Sequence, residues 1–209
     1  MVVRVWQQVW QARRVDAVVI ATEDQEIIDA AAPYGAACVF TRPCQNGTER
    51  VCLAAAGRGA SVVVNVQGDE PLIHPAHIDA VIAGVLAGAD IATASTPLEG
   101  DPANPARVKV VVNQAGEALY FSRQPIPTAG PWRLHLGLYA FAAASLPRIL
   151  SLPPSPLEQS ERLEQLRWLE AGLRIAVVPL GSSEPGVDTP EDLERVRQRW
   201  AELKIEPVR

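Results

Sequence analysis

Short apolar runs rich in β-branched residues alternate with helix-periodic stretches through the first half of the chain. That alternation restricts the fold to a parallel sheet flanked by helices. Val15–Ala21, Ala36–Thr41 and Ser61–Val66 read as strands. Residues 2–13 place Val2, Val5, Trp6, Val9 and Trp10 at helical spacing, and Asp24–Ala32, Thr48–Gly57 and Pro75–Leu86 read as further helices. The second half changes rhythm. Ala92–Pro97, Val108–Val112, Ala118–Ser122 and His135–Phe141 look like strands with short connections, and Asn113–Gly116 like a hairpin turn. Pro156–Glu170 reads as one long amphipathic helix, Arg174–Leu180 as a strand and Thr189–Leu203 as a final helix. The expected architecture is one α/β domain over residues 1–209, a Rossmann-like, mostly parallel three-layer sheet with a mixed-strand insertion.

The pattern opens on a helix, whereas a parallel sheet needs a strand before each crossover helix. In a doubly wound fold the first strand is central and carries the phosphate-binding turn. The expectation is a sheet missing its first strand and that turn, and hence a chain prone to aggregate.

A hydrophobic content of 48% supports a full core. The net charge of −5 offers no basic field, which argues against nucleic acid and anionic membrane as partners. No apolar run approaches the roughly 20 residues of a membrane helix, and no signal peptide is apparent. Cys38, Cys44 and Cys52 are odd in number and lack metal-type spacing, so reduced thiols in a cytoplasm are expected.

Three segments carry candidate chemistry. In Val64-Asn-Val-Gln-Gly-Asp-Glu-Pro71 a buried strand ends in Gln67, Gly68, Asp69 and Glu70, where ligands of open α/β sheets gather. Asp69 offers hard oxygens to Mg²⁺; the same residues also suit a turn that caps the next helix. In Glu184-Pro-Gly-Val-Asp-Thr-Pro-Glu-Asp-Leu193, Asp188 precedes Thr189 and Pro190, which equally reads as an ordinary helix start. In Thr41-Arg-Pro-Cys-Gln-Asn-Gly-Thr-Glu-Arg50, Gly47 and the amides of a helix start can meet a base or phosphate, or form a plain loop.

Taken in order, these segments resemble the CMP-Kdo synthetases (3-deoxy-manno-octulosonate cytidylyltransferases). Val108-Lys-Val-Val111, Leu119-Tyr-Phe-Ser-Arg123, His135-Leu-Gly-Leu-Tyr139 and Pro154–Arg167 match the same pattern. The resemblance implies transfer of a cytidylyl group from CTP to the acid sugar Kdo, with release of pyrophosphate, in lipopolysaccharide synthesis. It implies that Asp69 and Asp188 hold Mg²⁺ and that Gln45, Asn46, Gly47 and Arg50 surround the cytidine, with Gln67 near the substrates. It assigns Arg123, His135, Tyr139, Glu164 and Gln165 to the Kdo pocket, with Arg123 the partner of the sugar carboxylate. By residue type alone, His135 and Tyr139 suit a core, and Glu164 and Gln165 a solvated helix face.

The family's first strand leads into a Pro-Ala-Arg…Ser-Arg-Leu-Pro-Gly-Lys loop around the triphosphate, and the match here begins after it. The 209-residue chain is therefore expected to turn over slowly. It is read as a clipped enzyme, with a Kdo-binding or dimerising remnant, or an enzyme for another sugar acid such as sialic acid, as alternatives. The resemblance implies a homodimer, and the shortness of Pro127–Trp132, in a region that serves the family's subunit interface, argues against it.

Overall fold

The computed structural model describes residues 1–203, which fall into two compact units. The first unit comprises residues 1–58, 65–79 and, within the described range, 183–203. Helix α1 (Val2–Val9) leads to strand β1 (Ile20–Thr22), helix α2 (Gln25–Ala31), strand β2 (Cys38–Phe40) and helix α3 (Gly47–Ala55). Helix α8 (Pro190–Leu203) closes the unit. The apolar face of α1 explains its position: Val2, Val3 and Trp6 pack on Ile20, Ala31 and Ala36. Arg4 of α1 lies over the Trp200 ring of α8, 5.2 Å from its centroid. The Asp79 carboxylate accepts the Arg13 and Arg14 amides at 3.1 and 2.9 Å, which pins the turn leading to β1.

Strands β1 and β2 pair in parallel, Ile20 opposite Cys38 and Thr22 opposite Phe40. The expected strand at Val15–Ala21 is thus realised only at its carboxyl end. Its partner cannot start earlier, because a 3₁₀ turn (Ala32–Tyr34) and Gly35 at φ 68° occupy the chain just before β2. Asp24 caps α2, accepting from the Glu26 amide. Among the described residues β1 has no other strand partner than β2.

The second unit comprises residues 59–64 and 80–182. Its strands are β3 (Val62–Asn65), β4 (Ile91–Pro97), β5 (Lys109–Val112), β6 (Ala118–Ser122), β7 (Arg133–Ala142) and β8 (Ile175–Pro179), in the order β6-β5-β7-β4-β8, with β3 also on β7. Strand β4 is parallel to β8 and antiparallel to β7, and β5 is antiparallel to both β6 and β7. The mixed insertion is therefore built from β5, β6 and β7. The hairpin between β5 and β6 forms as expected, with Gly116 at φ 80° and Asn113 Oδ1 accepting the Ala115 and Glu117 amides.

Helix α4 (Pro75–Leu86) reaches this unit with Gly84 facing the sheet, where a Cβ would stand 2.9 Å from that of Ala92. Phe121, Leu138, Phe141, Leu166, Trp168, Ile91 and Ile175 are fully buried. Helix α5 (Leu146–Ser151) was not anticipated; Pro147 suits its first turn. The expected single helix over 156–170 is two helices, α6 (Pro156–Glu161) and α7 (Gln165–Glu170). They are parted by Arg162 in the left-handed conformation, φ 55° and ψ 48°. A capping box on Ser155 and Glu158 starts α6, and the Arg167–Glu158 ion pair ties α7 back to it. No helix among the described residues is long and apolar enough to cross a membrane.

Candidate functional site

In the first unit, the chain leaving β3 turns at Gln67-Gly-Asp-Glu70, with the Gln67 carbonyl accepting the Glu70 amide at 3.3 Å. The Asp69 carbonyl then accepts the Val187 amide at 2.9 Å. A Cβ on Gly186 would lie 3.5 Å from that same carbonyl oxygen, so the Gly186 backbone also packs against the Asp69 turn. The two acidic segments, distant in sequence, are thereby brought together, and Asp69 and Asp188 fall in one neighbourhood.

The ordinary role of a helix-start acid is filled by others. Thr189 Oγ1 accepts the Asp192 amide at 3.2 Å, and Asp192 Oδ2 accepts the Thr189 amide at 2.9 Å, a reciprocal cap on α8. Neither the Asp69 nor the Asp188 carboxylate forms a hydrogen bond or ion pair with any described residue, and Asp188 is exposed. Burial pushes the neighbouring Glu70 carboxyl up to about 7, and the Asp69 charge adds to the rise.

This donor set fits a hard divalent cation shared with substrate oxygens. Two open carboxylates suit Mg²⁺, which keeps most of its shell for water and phosphate. No cluster of three or more His, Cys, Asp or Glu groups able to hold a metal occurs among the described residues, so the set is not a closed protein cage.

The loop before α3 lies against the same strand end. A Cβ on Gly47 would stand 3.4 Å from Gln67 Nε2 and 3.6 Å from Asn65 Nδ2, so both side-chain amides border the loop. Asn46 spends its Oδ1 on capping α3, accepting the Glu49 amide at 2.8 Å, and keeps its Nδ2 hydrogens for a ligand. The Gln45 amide donates to Glu49 Oε2 at 2.8 Å, and the other oxygen pairs with Arg42. These contacts hold the Glu49 carboxyl below its ordinary range, the Gln45 amide contributing most. Arg50 reaches back to Thr41 Oγ1 at 2.6 Å and to Glu23 at 3.4 Å. Gln45, Asn46, Gly47, Arg50 and Gln67 thus share one corner of the first unit.

In the second unit, Arg123 follows the end of β6, His135 and Tyr139 lie on β7, and Glu164 and Gln165 open α7. The rings of His135 and Tyr139 are 5.4 Å apart, far closer than the roughly 13 Å that four residues of regular strand would give, because the β4–β7 register shifts between Thr93 and Ala94. Phe121 stands edge-on to His135 at 4.9 Å. Tyr139 packs edge-on to Trp168 at 5.2 Å. Glu164 is close enough to add to the rise in the Tyr139 pKa that burial causes. Gln165 is 5% exposed, so it lies in the packed face of α7 and not on a solvated one.

Arg123 is held by backbone. Its Nε donates to the Glu161 carbonyl at 2.9 Å, Nη1 to the Pro105 carbonyl at 2.9 Å and Nη2 to the Arg162 carbonyl at 3.3 Å. The guanidinium keeps further N–H groups for a ligand.

Two residues around it escaped sequence reasoning. The Glu161 carboxylate accepts Ser122 Oγ at 2.7 Å and the Arg123 amide at 2.9 Å. Lys109 is 0% exposed and donates to the Asn104 and Arg123 carbonyls. A lysine inside an apolar strand was the available signal for the second; Glu161 gave none.

The family model for cytidylyltransferases matches residues 1–175. A 3-deoxy-manno-octulosonate cytidylyltransferase of Anaeromyxobacter sp. (strain Fw109-5) is 47% identical over 90% of this chain and 80% of its own length. The enzyme of the same name from Chlorobium limicola (strain DSM 245 / NBRC 103803 / 6330) is 44% identical over 95% of this chain and 85% of its own. A solved CMP:2-keto-3-deoxy-manno-octonic acid synthetase in complex with CTP superposes with a TM-score of 0.92 at 35% identity, covering 96% of this chain and 87% of that one. A 4-diphosphocytidyl-2C-methyl-D-erythritol synthase, at 15% identity and a TM-score of 0.64, shares the fold alone. The Rossmann-like nucleotidyltransferase fold expected from the strand and helix pattern is the one found, and the chain belongs to the cytidylyltransferase family, among the 3-deoxy-manno-octulosonate cytidylyltransferases.

Proposed function

We propose that this protein transfers the cytidylyl group of CTP to 3-deoxy-D-manno-octulosonate, giving CMP-Kdo and pyrophosphate for lipopolysaccharide synthesis. The observation that carries the reading is the meeting of the Asp69 and Val187–Asp188 segments, joined by a 2.9 Å backbone hydrogen bond. Together with the 47% identity to an enzyme of that name, it supports a phosphoryl-transfer site.

In this reading the anomeric hydroxyl of Kdo forms a bond to the α-phosphorus of CTP while the bond to pyrophosphate breaks. Asp69 and Asp188 would hold Mg²⁺, which when bound supplies charge neutralisation at the phosphate and polarises a coordinated hydroxyl. Gln45, Asn46, Gly47 and Arg50 receive the cytidine, and Gln67 borders it. Arg123, oriented by three carbonyls, takes the sugar carboxylate in a charge-assisted pair. His135, Tyr139, Glu164 and Gln165 meet the hydroxyls. Most of the acceleration then comes from positioning two substrates, which converts a bimolecular encounter into an oriented one. The proposal includes a cytoplasmic homodimer, which light scattering on the purified protein tests.

A pyrophosphate-release assay tests the chemistry. The expected result is release that needs CTP, Kdo and Mg²⁺ together. Release that is equally fast without Kdo, or with sialic acid in its place, would overturn the assignment of the acceptor.

A further inference from the structure

Thr93 brings one hydroxyl to three neighbours. Its Oγ1 lies 3.0 Å from His135 Nε2, 3.0 Å from the Leu136 carbonyl and 2.9 Å from the Leu138 carbonyl. A hydroxyl has a single proton to donate and two lone pairs to accept with. Carbonyl oxygens only accept, so the Thr93 proton goes to Leu136 or Leu138. The contact with His135 is then favourable in one sense only: Nε2 carries a hydrogen and donates it to Oγ1. The imidazole is neutral, because loss of hydration pushes its pKa down to about 3. A neutral ring with its hydrogen on Nε2 has a bare lone pair on Nδ1.

The arrangement is built into the sheet. The register of β4 and β7 shifts between Thr93 and Ala94: Thr93 faces Tyr139, whereas Ala94 faces Leu136. Gly137 and Leu138 are thereby extra on β7, and the Leu136 and Leu138 carbonyls converge on the Thr93 hydroxyl. Thr93 is 0% exposed, so no water competes for these bonds. His135 as a whole residue keeps partial exposure, while burial of its ring accounts for the lowered pKa.

We propose that Thr93 is a positioning residue that locks His135 in the Nε2–H tautomer, so that His135 meets the sugar acid through Nδ1 as an acceptor from a hydroxyl. The consequence is selectivity by hydrogen-bond sense. At that position the site takes a group with a proton to give and disfavours a carbonyl or carboxylate, which would set lone pair against lone pair. The contact with sugar rests on the proposed function; the tautomer does not.

Nitrogen-15 NMR of the ligand-free protein reads the tautomer directly, and the histidines are only His74, His77 and His135. His135→Gln assigns the signals. The expected spectrum shows His135 as an Nε2–H imidazole in the native protein and in Thr93→Ser, which keeps the hydroxyl. In Thr93→Val the signal moves to the other tautomer or to a mixture. Adding Kdo shifts the Nδ1 resonance in the native protein, and Thr93→Val raises KM for Kdo roughly tenfold at an unchanged KM for CTP.

A native Nδ1–H tautomer would overturn the lock, as would Thr93→Val keeping both the tautomer and the native KM. Should Thr93→Val fail to fold, the native and Thr93→Ser spectra still decide. Kdo that binds by calorimetry without moving Nδ1 overturns the contact. Kdo that does not bind at all counts against the sugar-acid reading, while the ligand-free spectra still judge the lock.

Discussion

The carbonyl of Asp69 accepts the backbone amide of Val187 at 2.9 Å. Backbone, not side chain, therefore joins the two acidic segments, and the carboxylates of Asp69 and Asp188 are left out of the joint. A turn that existed only to cap a helix would use its acids on amides, as Asp192 does at the start of α8. Two uncommitted acids stand beside a third carboxyl that burial, and then the Asp69 charge, has pushed up to about 7.

Asp69→Ala and Asp188→Ala should each lower kcat/KM by roughly a hundredfold or more, about 2.7 kcal/mol of barrier, and should weaken Mg²⁺ binding measured by calorimetry. Because the joint is made by backbone, both variants should melt within about 0.5 kcal/mol of the native protein. A near-native rate in either would remove that residue from the metal site.

Acid should destabilise the second unit through His135. Its folded pKa of about 3 lies below the 6.5 of a free histidine, so the unfolded chain binds more protons between those values. Stability then rises with pH across that window, by up to about 1.4 kcal/mol per pH unit for this one group. Glu158 acts in the same direction. Its pKa is lowered chiefly by the Arg167 hydrogen bonds, so its contribution is full above 4.5 and is lost as pH falls further. Denaturant melts from pH 7 to 4 should show a shallower acid loss in His135→Gln than in the native protein; an unchanged slope would mean that the ring is hydrated in the fold.

The contact between α4 and the sheet gives a packing test. Gly84 has room for no side chain, since an added Cβ would stand 2.9 Å from that of Ala92 and 3.5 Å from Val178 Cγ2. Gly84→Ala gains about 1 kcal/mol of helix propensity and forces helix and strand apart, which costs about 1–3 kcal/mol. The expected net effect is a loss of stability, increasing in Gly84→Val, read as a lowered denaturation midpoint at constant slope.

How much was legible in the sequence follows from which forces are local. The β5–β6 hairpin was readable because Asn113 and Gly116 satisfy their own turn. The strand end at Gln67–Glu70 was readable because a buried run stops at polar groups. The short β1 was not, since its length is set by where β2 begins, on the far side of α2. The buried setting of Gln165 and the carbonyl cradle of Arg123 were also hidden. Both depend on a break in an otherwise helix-compatible run, and nothing at Arg162 announces it.

That break supplies the last test. Arg162 is the one non-glycine residue with positive φ among the described residues, and its carbonyl accepts Arg123 Nη2. The left-handed conformation costs an ordinary side chain about 1 kcal/mol or more. Nothing local requires an arginine there, since the residue contributes its carbonyl and its side chain is exposed. The conformation persists because Arg123 needs the Glu161 and Arg162 carbonyls turned toward it. Arg162→Gly should therefore raise stability by about 0.5 kcal/mol, the relief of strain exceeding the added freedom of the unfolded chain. Arg162→Val should lower it by about 1–2 kcal/mol, because a β-branched residue resists positive φ. If the cradle is what orients Arg123, Arg162→Val should also raise KM for Kdo and leave KM for CTP unchanged, whereas Arg162→Gly should alter neither. A melting series in which valine equals arginine would show that the backbone at this position relaxes when the side chain changes, and that the strain is not held by Arg123.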